Sequence, residues 1–290
     1  MKIWICIPVF NRKNFTLDCL ASLYRQTFTN FTVVVCDHGS SDGTTEAIRA
    51  QFPQTVVINA DSSLWWTGAI NRCIEYALTL AQPGDTLLTL NNDTELPVDY
   101  LANLAGNYAR YPGAIITSVV HDIKTGKPEA AGYRQNWLLA KANPVYFERD
   151  HLADDPDTVE VTHASGRGSL FPIQAFRQLG LFDEKHLPHY AADYDFTFKA
   201  ARAGFKIYAC RNCQVLSYVE ETGMTKVLNR MSWQSFVNYF TSIRSPANLP
   251  ARWWYGWNNC PKHLLPMYLL LDLLRVSGGY FKQFYLAQRS

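Results

Sequence analysis

The chain has 290 residues, 48% hydrophobic and 18% charged, with 16 Gly, 14 Pro and a formal net charge of +2. That composition excludes a collagen-like repeat, a long disordered chain and a disulfide-framed miniprotein, and leaves room for one large α/β core or two smaller domains. The small total charge hides an asymmetry: residues 221–290 carry eight Lys or Arg against Glu221 and Asp272, a basic surplus of six, while residues 1–220 are acidic by four.

The first apolar run, Ile3–Val9, reads as a buried strand. It is interrupted by Pro8 and followed by Arg12 and Lys13 in place of a small-residue cleavage site, so no signal peptide is expected. With seven cysteines, an odd number, the protein is expected to be cytosolic and reduced. Further strands are expected at Thr32–Asp37, Thr55–Asn59, Thr86–Asn91 and Ala114–Val120, each stopping at or near Asn, Asp or Gly. Helical spacing fills the gaps at Phe15–Gln26, Thr44–Gln51, Ala69–Ala81 and Pro97–Arg110. This alternation predicts an α/β fold with a mostly parallel sheet covered by helices on both faces. Ligands of such sheets bind beyond the carboxyl ends of the strands.

Those ends are polar. They read PVFNR from Pro8 to Arg12, DHGSSDG from Asp37 to Gly43, and NNDTE from Asn91 to Glu95. Each alone is a turn, and Asp42 or Thr44 is a ready cap for the next helix. Three such loops at one sheet edge make a binding site.

The runs IPVFNR, VVVCDHGSSDGT, SLWWTGAINRCIEYAL, LLTLNNDTELP, ASGRGSLFPIQAFRQLGLFDE and HYAADYDFTFKAARAGFKIYAC, in that order, resemble the family 2 glycosyltransferases of the nucleotide-sugar-binding GT-A fold, in particular bacterial rhamnosyltransferase-like members. The resemblance spans roughly residues 3–215. It implies a nucleotide-sugar donor whose diphosphate gains negative charge as the glycosidic bond breaks, a charge usually met by a metal ion. Asp93 would then hold a divalent cation, Mg²⁺ or Mn²⁺, in the DxD-type position, although here the triplet is Asn91-Asn92-Asp93 and only one carboxylate remains. Asp37 would accept the imide N–H of a uracil or thymine, with Pro8, Phe10, Asn11 and Gly39 shaping the base pocket. Trp66, Gly68 and Asn71 would meet the donor at a helix start, with Gly68 allowing close approach and Asn71 projecting one turn in. Of the two tryptophans, Trp66 is expected to be the exposed one.

Ala192-Asp193-Tyr194-Asp195 stands where the family has Glu-Asp-x-Asp. By that match Asp193 is the general base for an inverting transfer and Asp195 a supporting or metal-side carboxylate; otherwise both merely favour the N-terminus of helix Tyr194–Ala203. Gly166 and Arg167 occupy the acceptor-side glycine-rich loop, where Arg167 either meets a phosphate bidentately or is solvated. After the strand Lys206–Leu216, where the family often has a histidine, the chain has Ser217-Tyr218, which puts metal dependence in question.

Cys210-x-x-Cys213 and Cys260-x-x-His263 have spacing acceptable for zinc, but a strand-like setting for the first pair argues against it. From about Trp233 the tail interleaves Phe236, Tyr239, Phe240, Trp253, Trp254, Tyr255 and Trp257 with Arg244, Arg252, Lys262 and Arg275. Leu264 to Val276 is broken by Pro266, Asp272 and Arg275 and does not span a bilayer. Cations beside a tryptophan belt fit a membrane interface, or a helical extension packed on the catalytic domain, or one face on each. No nucleic-acid motif accompanies the basic stretch.

The expectation is therefore a catalytic domain over residues 1–220 and a helical extension over 221–290, cytoplasmic and peripheral on the inner face of the cell membrane. The enzyme would move a sugar from a UDP- or dTDP-linked donor to a saccharide acceptor on polyprenyl diphosphate, in surface-polysaccharide assembly. Two alternatives stand beside it: a sugar-phosphate nucleotidyltransferase, which would want glycines that PVFNRKN lacks, and a non-catalytic binding protein with a degraded site.

Overall fold

The computed structural model describes residues 1–218 and 233–287. Strands β1 (Ile3–Val9), β2 (Phe31–Asp37), β3 (Val56–Asn59) and β4 (Thr86–Thr89) form the parallel half of the sheet. They alternate with helices α1 (Lys13–Leu23), α2 (Thr44–Gln51) and α3 (Trp65–Leu80), and α4 (Tyr100–Arg110) follows the two-residue strand β5 (Thr94–Glu95). Next come β6 (Ile115–Asp122), the hairpin β7 (Gly132–Asn136) and β8 (Lys141–Val145), the short helix α5 (Phe147–Asp150), β9 (Thr158–Glu160), and β10 (Ser169–Pro172). Helices α6 (Ile173–Leu179) and α7 (Ala192–Arg202) and the long strand β11 (Ile207–Ser217) complete this unit. The main sheet runs β3-β2-β1-β4-β10-β6-β11-β5, with β9 beside β11.

The sheet is mostly parallel, as the alternation predicts, but β10 enters antiparallel between β4 and β6. Its sequence, SLFP, is too short to show a period and ends in Pro172, so the sequence pattern does not announce it. Every residue of β1 is buried, because both sheet faces are covered. Alternation then sorts the side chains: Trp4 and Cys6 join Ile70, Phe171 and Phe196 under α3 and α7, while Ile3, Ile5 and Ile7 join Leu20, Tyr100 and Leu101 under α1 and α4. Truncating Leu20, which has no exposed surface, would cost about 2–5 kcal/mol. Pro8 is tolerated in this central strand because the β1–β4 ladder ends at Cys6, so no donor is wanted from it on that side.

Three C-terminal helices, α8 (Trp233–Thr241), α9 (Leu249–Asn259) and α10 (Leu265–Ala287), form the extension. The expected domain boundary at 220 lies outside the described residues. Asn248 caps α9 through its side-chain oxygen, with Pro250 in the first turn. Helix α9 packs on α7: Arg202 donates to the carbonyls of Asn258 and Asn259 at 3.1 and 3.2 Å, and Trp254 stacks on His186 at 3.8 Å. Trp254 and Tyr255 thus join the core beneath α3 and α7, whereas Trp253 and Trp257 are about half exposed. The extension therefore does pack on the sheet-bearing unit.

The cations of the tail are less free than their sequence suggests. Arg252 is bound by both oxygens of the buried Asp272 on α10, and Arg275 donates to the Leu139 carbonyl. Cys210 and Cys213 pack under α4, while Cys260 lies in a different cluster with Leu265 and Tyr268, so the two pairs do not converge. Among the described residues no helix is long and apolar enough to cross a membrane.

Candidate active site

The chain turns sharply after β1. Asn11 and Arg12 both take left-handed conformations, with φ of 57° and 63°, which is unusual for two consecutive residues with side chains. Asn11 is held there by the next loop: its N–H donates to Ser40 Oγ at 2.7 Å and its Oδ1 accepts from the Ser41 N–H at 3.0 Å. The turn aims Arg12 at Asp93, whose Oδ2 accepts from the guanidinium at 3.0 Å.

Asp37, at the end of β2, is 4% exposed and builds its own loop, accepting from the Ser40 N–H at 2.9 Å and from Thr45 Oγ1 at 2.5 Å. Asp42 bridges the starts of α1 and α2, accepting from the Lys13 N–H at 3.0 Å and the Thr44 N–H at 3.2 Å, while Gly43 holds the N-cap position of α2. Phe10 is partly exposed and stacks on His38 at 5.2 Å, and Gly39 has φ +101° where a Cβ would come within 3.3 Å of the Ser62 N. Pro8, Phe10, Asn11, Asp37 and Gly39 are thus gathered at the ends of β1 and β2.

The triplet after β4 is divided. Asn91 Oδ1 accepts from Trp66 Nε1 at 2.9 Å, and Asn92 Nδ2 donates to Thr16 at 2.9 Å, inside the fold. Asp93 is 1% exposed and its Oδ1 has no hydrogen-bond partner. Burial raises its pKa, opposed by the nearby Arg167 and Arg12. Ser217 and Tyr218, in the place of the family histidine, lie alongside, with the Tyr218 N–H donating to the Asp93 carbonyl at 3.3 Å and its hydroxyl to Glu95.

Trp66 is in the first turn of α3, which begins four residues before the expected Ala69. Both Trp65 and Trp66 are partly buried, so the expected contrast between them is absent. The Trp66 indole reaches from Asn91 to Gly166, whose Cβ, if present, would lie 3.0 Å from the ring and 3.3 Å from Asp193 Cβ. Gly166 is therefore needed for close packing. Gly168 is needed more strictly: at φ +89° an added Cβ would sit 2.8 Å from Val215.

Asp193 is partly buried at the start of α7. Its Oδ2 accepts from the Gly166 N–H at 2.7 Å and its Oδ1 from the Tyr194 N–H at 2.9 Å. Burial raises its pKa, and these N–H groups and Arg167 pull it back. Arg167 therefore lies within electrostatic reach of both Asp93 and Asp193. It keeps one long ion pair, 3.6 Å to Glu129, while its Nε and Nη1 are buried without hydrogen-bond partners.

Three expected site residues lie elsewhere. Asn71 is 1% exposed and both ends of its amide are taken, by the Phe182 carbonyl and N–H and by Glu184, so it clasps the 182–184 segment instead of projecting to a ligand. Gly68 makes its close approach to Leu64, where a Cβ would meet the side chain at 3.0 Å. Asp195 faces α9, accepting from Asn258 at 3.1 Å and Asn259 at 2.6 Å, beside a cavity of about 340 Å³ that Asp183, Lys199 and Arg202 also line. Arg12 was not expected as a site residue; the only signal was its place at the end of the PVFNR loop, and its partner is 81 residues away.

A divalent cation fits this arrangement in a limited way. The orphaned Asp93 Oδ1 is a hard anionic ligand of the kind Mg²⁺ or Mn²⁺ takes singly when a diphosphate supplies the rest. Among the described residues no group of three acids, histidines or cysteines gathers as a preformed metal site.

The fold resembles those of known proteins. The structure of GalNAc-T7 with UDP, GalNAc and Mn²⁺ superposes with a TM-score of 0.59 at 15% identity, covering 74% of this chain and 43% of that one. Staphylococcus aureus TarS 1–349 gives 0.58 at 14% identity, over 98% of this chain and 92% of the other. In sequence, the N-acetylglucosaminyl-diphospho-decaprenol L-rhamnosyltransferase of Mycobacterium tuberculosis is 24% identical over 256 residues, 81% of this chain and 82% of that protein. An uncharacterized glycosyltransferase of Rickettsia typhi is 22% identical over 251 residues, covering 82% and 72%. The family model described as glycosyl transferase family 2 matches residues 4–180, which hold β1 through α6 and with them the Arg12–Asp93 pair, Trp66 and Arg167. With the GT-A architecture and this site in place, the chain belongs to glycosyl transferase family 2.

Proposed function

We propose that the protein moves a sugar from a UDP- or dTDP-linked donor to the hydroxyl of a lipid-linked saccharide, by single displacement with inversion. The observation that carries this reading is Arg167, whose buried, unpartnered N–H groups lie within reach of both the donor-side Asp93 and the candidate base Asp193. Asp193 takes the proton of the acceptor hydroxyl while that oxygen bonds to the anomeric carbon. The bond from that carbon to the diphosphate breaks, and its electrons leave with the nucleoside diphosphate. Arg167 and Arg12 meet the charge that develops there, Arg167 largely buried and Arg12 reaching in from the partly exposed side. A divalent cation held through Asp93 Oδ1 would add Lewis-acid stabilisation of the same diphosphate. Asp37 would read the imide of the base with its remaining lone pairs, between Pro8, Gly39 and the Phe10–His38 stack.

The lipid side is supported by the extension. Met267, Leu270, Leu274, Phe281 and Tyr285 are exposed along one stripe of α10, and Leu249, Trp253 and Trp257 along one of α9. Lys262 lies over the Trp257 ring at 4.1 Å. Such a face suits the interface of a membrane that carries the acceptor, on its cytoplasmic side. The mycobacterial relative is named for a diphospho-decaprenol-linked acceptor, which agrees.

Calorimetric titration with UDP, dTDP, GDP and CDP, each with Mn²⁺ or with EDTA, tests the donor site. Binding of UDP or dTDP alone, strengthened by Mn²⁺, is expected. A folded protein that binds none of the four sinks the transferase reading in favour of a degraded site. Asp193→Asn is expected to keep that binding and to lose transfer by a factor of about 10²–10⁴; equal loss of both would remove Asp193 from the role of base.

A further inference from the structure

The loop between α8 and α9 is tightly built although it lies in the extension. Ser245 and Asn248 are buried; Ser245 Oγ donates to the Tyr239 carbonyl at 2.5 Å, and Asn248 Nδ2 to the Thr241 carbonyl at 2.9 Å. Arg244 is exposed on this fixed loop, and its guanidinium carbon sits 5.7 Å from the centre of the Trp65 ring. Trp65 is itself held at φ 51°, a left-handed conformation costly for a bulky residue, at the junction of the Ser62–Leu64 turn and α3. Its ring lies 5.8 Å from His189.

His189 Nδ1 is buried without a partner. So is Nδ1 of His38, which is 9% exposed and stacks on Phe10 at the end of β2. Burial pushes the His189 pKa down to about 4, helped by Arg244, His38 and Arg12, so each of these groups lies within electrostatic reach of His189. His38 is lowered by burial too, against the pull of Asp37 and Asp61. Arg244 and His189 thus flank the same Trp65 ring, and His38, beside Phe10 at the end of β2, lies with Arg12 within electrostatic reach of His189. Neutral imidazoles can accept from hydroxyls and donate to phosphate oxygens, and guanidiniums prefer phosphate. That combination suits the ribose and diphosphate of a nucleotide.

We propose that Arg244, carried by the C-terminal extension, is a diphosphate-binding residue of the donor site, with His38 and His189 bonding the ribose–diphosphate portion beside it. The inference rests on the nucleotide-sugar reading above. It makes the extension part of the donor pocket as well as a support, and it assigns to the substrate a cation that the tail's composition assigns to a membrane.

The test is calorimetry on the full chain with UDP and UMP (dTDP and dTMP if the thymine nucleotide is the one bound), for wild type, Arg244→Ala and His38→Ala, with thermal melts alongside. Arg244→Ala should bind the diphosphate about tenfold or more weakly, change the monophosphate less than threefold, and melt as wild type. His38→Ala should weaken both nucleotides, because the ribose is common to them. Unchanged UDP affinity in Arg244→Ala overturns the inference while leaving the transferase reading intact, as does equal loss of UDP and UMP. A wild type that binds no nucleotide takes the reading and the inference away together. Anionic vesicle binding reduced by Arg244→Ala at constant UDP affinity would give this cation to the lipid instead.

Discussion

Asp195 is the residue whose role changes most between sequence and structure, and it can be tested by two substitutions of similar size. Both of its hydrogen bonds from Asn258 and Asn259 end on Oδ1. Asp195→Asn keeps an oxygen at that place, so both bonds survive at roughly half their charge-assisted strength, a loss of about 1–2 kcal/mol. Removing a carboxylate that is disfavoured by burial and by Asp183 offsets much of this, leaving a net change within about 1 kcal/mol. Asp195→Ala removes one acceptor from each of the two amides, at about 1–3 kcal/mol each. Asn259 is 5% exposed and has only the Tyr255 carbonyl left, while Asn258 is partly exposed and can turn to water. The alanine variant should therefore lose about 2–4 kcal/mol. Urea unfolding gives the stabilities, and transfer to a saccharide acceptor measured on the same samples gives the activities. The asparagine variant should keep transfer within about threefold, and the alanine variant should lose activity in step with its stability. If Asp195→Asn unfolds like wild type yet transfers more than about a hundredfold more slowly, Asp195 acts on the reacting atoms and its assignment to the α7–α9 contact is wrong.

The acid limb of transfer should follow Asp193. Its folded-state pKa is raised by burial, a base works only when ionised, and so the rate should fall as pH drops through that raised value; a rate that holds down to the range of a solvated aspartate would contradict this. The same direction means that whatever Asp193 adds to stability is present below its unfolded pKa and lost as pH rises through the folded one. Gly166→Ala should push on the Trp66 ring and Asp193, costing about 1–3 kcal/mol in chemical denaturation and lowering kcat more than donor affinity. Asn71→Ala should destabilise the fold by about 2–4 kcal/mol, since the Phe182 backbone loses both its bonds to Asn71 while Glu184 keeps Arg72, with no selective effect on nucleotide binding by the folded fraction. Trp253→Ala with Trp257→Ala should weaken flotation with anionic vesicles at least tenfold while UDP affinity holds, because each ring is about half exposed; unchanged flotation would remove α9 from the membrane.

The parallel half of the sheet is legible in the sequence because buried parallel strands are continuous apolar runs, and Ile3–Val9 and Thr44–Gln51 keep their expected ends. The β7–β8 hairpin is not, since GYRQN and KANPV carry neither alternation nor a run. At the site, the loops that bear chemistry could be found from their polarity, but not which atoms stay free. Asn71 looks available until Phe182, 111 residues on, is folded against it. Arg12 reads as the last residue of the PVFNR loop until its left-handed backbone turns it toward Asp93. Arg244 reads as one of several tail cations, and only packing separates it from Arg252, which is spent on Asp272. Partners distant in sequence decide all three cases.

The Trp66 indole, which donates to Asn91 at one end and lies against Gly166 at the other, has a consequence for how this enzyme can diversify. It acts as a spacer of fixed length between the Asn91 loop and the Gly166 loop, the donor and acceptor sides of the proposed site. A substitution that enlarges the sugar pocket by moving residue 91 also displaces the glycine that holds the Asp193 carboxylate. Donor and acceptor preferences therefore cannot drift independently on that side. The Phe10–His38 stack is not joined to this spacer, so if the nucleoside binds there as proposed, new donor specificities have their open route at that end.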